Sequence, residues 1–130
     1  MLSTHVIAIA LLFAVVQSPA APRRGGNPDA ANVKNAVPAS AESVAAGKRS
    51  YQRLCSRCHG AEGKGDGTGS SGAQPSDLTD PQWDFGSSDG EIFGVIHDGT
   101  SDDMAGYASR LSDTEIWNVM NYLRTLAPKP

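Results

Sequence analysis

Five adjacent residues carry the chemistry that is easiest to name: Cys55, Ser56, Arg57, Cys58 and His59. The Cys-x-x-Cys-His spacing is that of covalent haem attachment. On one helical turn, positions i and i+3 face the same side, so both thiols can reach the two vinyl groups on one edge of a porphyrin. His59 then lies below the ring plane with its imidazole able to bind the iron. These are the chain's only two cysteines, and a loop closed between them would be tiny, which argues against a structural disulfide. A thioredoxin-like redox pair expects a βαβ setting, and no strand pattern surrounds the motif. Structural zinc requires four ligands, and no second Cys/His pair is present to complete them.

An iron held by His59 calls for a ligand on the opposite side, and three residues compete. Met120 lies among Ile116, Val119 and Leu123 at helical spacing, which is a core pattern. His97 precedes Gly99 at the end of a short helix, where a histidine ordinarily interacts with the helix C-terminus. Met104 sits in a loop, between Asp102-Asp103 and Ala105-Gly106, where core packing does not explain a methionine. It is the favoured candidate, with His97 and Met120 left open.

The elements that must position these groups read as helices. Ser40 opens a first helix in which Val44, Gly47, Tyr51 and Leu54 share a face. Ser88-x-x-Glu91 is a capping box for a short helix with Ile92, Val95 and Ile96 inward and Gly99 as its stop. Ser112-x-x-Glu115 is another, followed by Ile116, Val119, Met120 and Leu123, and that helix ends near Leu126. From Gly60 to Gly86 runs a long, Gly-rich, weakly apolar loop, unusual in a small domain unless it wraps something. Large apolar side chains are few, and domains of this size are marginal unless stapled or filled. The fold expected is therefore all-α, with three to four helices wrapped around one haem.

The chain has 130 residues and a formal charge of −3, with no basic run, so nucleic-acid binding is not indicated. Residues 1–20 read as a signal peptide: the apolar run Val6 to Val16 is followed by Ser18-x-Ala20, a small-x-small cleavage pattern. The run is short of the about 20 residues that span a bilayer, although an uncleaved membrane anchor is the alternative. Residues 21–39 read as a flexible Ala/Pro/Gly-rich tether, and residues 40–127 as the working domain. Export to the periplasm suits covalent haem attachment, which bacteria carry out outside the cytoplasm. No membrane insertion is expected once the leader is removed.

Taken together, the sequence resembles the class I, cytochrome c-like, monohaem family over about Ser43 to Leu126. The resemblance is carried by Gly47-x-x-x-Tyr51-x-x-x-Cys55-x-x-Cys58-His59-Gly60 and by Leu111-Ser112-x-x-Glu115-Ile116-Trp117-x-Val119-x-x-Tyr122-Leu123-x-x-Leu126. Pro75-x-Asp77-Leu78-Thr79-Asp80 with Trp83 is similar to the variant of small periplasmic carriers and of cytochrome domains that serve oxidoreductases. The resemblance implies that the first and last helices cross, with Gly47 and Tyr122 as the contact pair. It implies that the Pro75 carbonyl accepts from the second nitrogen of His59, and that the axial methionine precedes the last helix, as Met104 does. The family usually has Pro directly after that methionine, where this chain has Ala105.

The function implied is single-electron transfer between redox partner proteins through one covalent haem c, without bond-making chemistry. From Ala41 to Ala127 there are 7 Lys and Arg against 13 Asp and Glu, formally −6, so a partner with a basic docking patch is one expectation. Its signature would be a salt-dependent transfer rate. Two further readings stay open: a haem-based small-ligand sensor with Met104 off the iron, and an electron-transfer subunit of a dehydrogenase complex.

Overall fold

Each long helix begins where a side chain satisfies otherwise orphaned N–H groups. A computed structural model describes Pro22 and residues 24–127, and five helices occur among them. They are α1 (Pro28–Ala31), α2 (Ala41–Leu54), α3 (Ser56–His59), α4 (Asp89–Asp98) and α5 (Asp113–Leu126). Ser40 caps α2 through its hydroxyl, and both expected capping boxes form, at Ser88/Glu91 and Ser112/Glu115. The fold is all-α, with α2, α4 and α5 as its frame and two single turns added. Among the described residues no helix is long and apolar enough to cross a membrane. The leader expected over residues 1–20 lies outside the described residues.

The core gathers the faces that the periodicity marks: Ile92 and Ile96 from α4, with Ile116, Val119, Met120 and Leu123 from α5. Tyr51 and Met120 are wholly buried. Helices α2 and α5 cross at Gly47, where an added Cβ would land on the Asn118 carbonyl oxygen and crowd the Val119 nitrogen. The close approach is thus backbone to backbone. Tyr122, expected beside Gly47, sets its ring against Tyr51, centroids 5.2 Å apart and tilted by 56°. One turn separates Asn118 from Tyr122, so the glycine admits the helix and the two tyrosines fill the space beside it.

The segment expected to be a loose tether is docked. Gly25 N–H donates to the Asp84 carbonyl at 2.7 Å, and Asn27 N–H donates to Glu91 Oε1 at 2.8 Å. Asn27 is buried and caps α1 through Asp29 N–H. Further on, Asn35 Nδ2 donates to Asn121 Oδ1, and Asn121 Nδ2 donates to the Val37 carbonyl and to Ser43 Oγ. The physical reason is polar pairing: this stretch lacks an apolar period but supplies donors and acceptors that buried groups of α4 and α5 need. Composition alone reads such a segment as linker.

Glu91 is the clamp of this strap. Its Oε1 accepts from Asn27 and its Oε2 from Ser88 N–H, at 2.8 and 3.0 Å. Burial pushes the carboxyl up, but the hydrogen bonds from Ser88, Asn27 and Ser87 outweigh it and hold the group below its ordinary value of 4.5. A depressed folded value means the stabilisation is fully present above pH 4.5 and is lost as pH falls through the folded value.

Two outcomes are expected. Gly47→Ala should lower the stability of the haem-loaded protein by about 3 kcal/mol, or roughly 10 °C or more in Tm, measured by thermal unfolding. Glu91→Gln should cost about 1–3 kcal/mol at pH 7, because an amide NH2 would face the Ser88 or Asn27 donor. The difference from wild type should shrink at pH 3, and equal stabilities at both pH values would count against the clamp.

Candidate haem site

The motif turn is built by a break in the first long helix. Cys55 closes α2, donating its N–H to the Tyr51 carbonyl, and also opens α3. Cys58 and His59 N–H groups both donate to the Cys55 carbonyl, at 3.1 and 2.9 Å, so the five residues are helical as the spacing requires. Gly60 stops the turn with φ +82°, where a Cβ would strike the Asp66 carboxylate. Tyr51 OH donates to the Gly60 carbonyl at 2.7 Å and so ties the end of the motif to the core. Both cysteines are free and half-buried. Burial pushes the Cys55 thiol up to about 11, with Arg110 opposing the shift and Cys58 adding to it.

His59 Nδ1 lies 3.0 Å from the Ser76 carbonyl. A carbonyl can only accept, so Nδ1 carries the proton and Nε2 presents its lone pair to a metal. The acceptor expected by resemblance was the Pro75 carbonyl, one residue earlier. That carbonyl faces Gly65 instead, and a Cβ on Gly65 would collide with it. Along an extended segment successive carbonyls point in opposite directions, which brings Ser76 to the histidine once Pro75 turns away.

The long Gly-rich loop is ordered by bonds back to α3. Gly65 N–H donates to the His59 carbonyl and Gly69 N–H to the Arg57 carbonyl, both at 2.8 Å, and Gln74 Nε2 donates to the Gly65 carbonyl. Leu78 N–H reaches the Gly63 carbonyl, and Asp77 holds Thr79 through both its N–H and its hydroxyl. Those bonds from Thr79, the hydroxyl's first, hold the Asp77 carboxyl below its ordinary range.

This loop, α2, α4, α5 and the segment 100–105 line a partly open cavity of about 640 Å³. Cys55, Cys58, His59 and Met104 all line it, with Ile92, Val95, Ile96 and Leu123 among the apolar walls. Its volume lies within the about 300–1,000 Å³ usual for ligand sites. Of the three candidates for the second axial position, Met104 alone lines it. Met120 is fully buried in the core, while His97 lies 2.6 Å from Asp98 Oδ1 and stacks on Phe93.

The residues present fit a haem. The donor set is two thiols and an imidazole on one turn, and the cavity adds a thioether. Trp83 Nε1, on the cavity wall, is buried with no hydrogen-bond partner among the described residues, and a donor in that position calls for an acceptor on the guest. Sequence reasoning did not assign roles to Ser76 or Trp83. A main-chain carbonyl leaves no trace in side-chain spacing, but a lone Trp in a weakly apolar loop was a readable signal. Arg24 and Arg110 also line the cavity: Arg24 pairs with Asp84 at 3.3 Å, and Arg110 lies over the Tyr107 ring at 4.1 Å.

A family model described as Cytochrome c matches residues 44–127. Among solved structures, the chain is similar to one of the Kuenenia stuttgartiensis reducing HAO-like protein complex Kustc0457/Kustc0458. That match has TM-score 0.64 and 30% identity, covering 73% of this chain and 49% of that one. Cytochrome cL from the marine methylotrophic bacterium Methylophaga aminisulfidivorans gives TM-score 0.59 and 23% identity, covering 74% and 59%. The chain thus spans only about half the length of these two. A c-type cytochrome designated KustC0563 gives TM-score 0.53 and 26% identity, with 62% of this chain covering 96% of that one.

Removing the orphaned donor is a direct test of the fit. Trp83→Phe keeps the ring but loses Nε1–H, and should lower the stability of the haem-loaded protein by about 1.5–3 kcal/mol if a charged acceptor is met. Calorimetry of the loaded protein is the measurement, and an unchanged Tm would show that Trp83 is wall only.

Proposed function

The chain belongs to the cytochrome c family and carries one covalent haem c, and from that premise we propose that it is a single-electron carrier with His59 and Met104 as axial ligands. The observation that carries this reading is that Met104 lines the same cavity as Cys55, Cys58 and His59. When bound, haem c supplies a one-electron iron couple.

The protein's own groups do the rest. Cys55 and Cys58 fix the haem through two thioethers, so it need not be fully enclosed to be retained. His59 is oriented by the Ser76 carbonyl, which also makes its Nε2 a stronger donor. Met104, a soft thioether, favours the reduced state and raises the potential. Apolar walls from α4 and α5 lower the local polarity, which favours the less charged state of the centre in the same direction. With both axial positions taken by side chains, no site remains for substrate, and the protein performs no bond-making step. Its partners are redox proteins, and its place is the periplasm, consistent with a leader over residues 1–20 and with haem attachment outside the cytoplasm.

Oxidised protein should show the weak far-red absorption band of a methionine–iron(III) bond, and Met104→Ala should abolish it. A wild-type protein without the band would remove Met104 from the iron and favour a ligand-binding role over a carrier.

A further inference from the structure

Met104 sits in a loop whose two arms are fastened to each other. Gly99 and Ala105 form an isolated antiparallel bridge. Within it, Thr100 N–H donates to the Met104 carbonyl at 2.9 Å and Met104 N–H to the Ser101 carbonyl at 3.1 Å. Just beyond it, Tyr107 N–H donates to the Ile96 carbonyl and Ala108 N–H to the His97 carbonyl, at 2.9 and 3.2 Å. The returning arm is thereby laid along the last turn of α4.

Two glycines make this closeness possible. Gly99 has φ +77°, and a Cβ there would fall between the Gly106 nitrogen and the Met104 carbonyl oxygen. A Cβ on Gly106 would strike the backbone of His97 and Asp98. At the far end of the loop Asp103 Oδ2 accepts from Ala73 N–H at 3.3 Å, with Gly72 leaving room for the carboxylate. Ala73 lies in the segment that leads to Ser76, the partner of His59.

We propose that Gly99 and Gly106 are positioning residues for Met104, zipping its loop into the ligating conformation, and that Asp103 latches the loop tip to the segment that orients His59. The inference rests on Met104 being the axial ligand. A loop ordered in advance loses little further entropy when its thioether binds, so the bond is stronger than a free loop would give. Backbone fastening at both ends also gives a physical reason why Ala105, a residue with no conformational stiffness of its own, suffices after Met104.

The test uses haem-loaded protein and imidazole, which competes for the methionine's position. In Gly99→Ala, which puts a side chain at positive φ, and in Gly106→Ala, whose Cβ would strike the His97 and Asp98 backbone, the far-red band should weaken or vanish, and imidazole should bind about tenfold more tightly. Asp103→Ala, which alters an exposed side chain, should keep the band and tighten imidazole binding several-fold. Gly94→Ala, on α4 where an added Cβ meets nothing, is the control and should change neither. If wild type shows the band while all three loop variants keep both band and imidazole affinity, the zip is not a positioning device. If the glycine variants yield no loaded protein, Asp103→Ala decides, and unchanged affinity there overturns the proposal. A wild-type protein lacking the band defeats the Met104 reading itself, an outcome distinct from either.

Discussion

Backbone contact between α2 and α5 at Gly47 is the constraint on which the rest is hung. Because nothing larger than hydrogen fits there, the two helices meet at their closest, and Tyr51, one turn later, is buried against Tyr122. The hydroxyl of Tyr51 then reaches the Gly60 carbonyl, next to His59. One chain of contacts thus runs from a glycine in the helix crossing to the histidine of the Cys-x-x-Cys-His turn. Burial pushes the Tyr51 phenol far up, so it remains a neutral donor at any physiological pH. The hydrogen bond to the Gly60 carbonyl therefore keeps its donor throughout that range.

A second set of constraints acts on the loops. The segment after α3 contains little that could form a core, yet it is ordered by returning its N–H groups to α3 carbonyls and by short Asp-centred turns. Such bonds are individually modest, but each satisfies a group that would otherwise be lost to water or stranded beside an apolar guest. This ordering brings Ser76 to His59 and leaves Ala73 available to Asp103. His59 and Met104 are therefore held by loops that touch each other rather than by independent supports.

Much of this was legible from residue types alone. The capping boxes at Ser88 and Ser112 located α4 and α5 because an N-cap is a local bargain between neighbours, independent of tertiary packing. The Cys-x-x-Cys-His turn was legible because covalent chemistry imposes its spacing, and Met120 was rightly read as core because its periodic neighbours bury it. What escaped depends on the path of the backbone. The exchange of Pro75 for Ser76 turns on which way a carbonyl faces. Residues 24–37 escaped for another reason: polar segments dock through long-range pairs such as Asn35–Asn121, which have no period.

The strap has a geometric consequence. The shared family pattern begins at residue 44, yet the packed body includes Gly25, Asn27 and Asn35, and both Pro22 and Arg24 stand in the wall of the haem cavity. Residues outside that pattern therefore help to wall the haem pocket. Trimming the chain to the shared pattern would accordingly strip away part of the pocket's own wall.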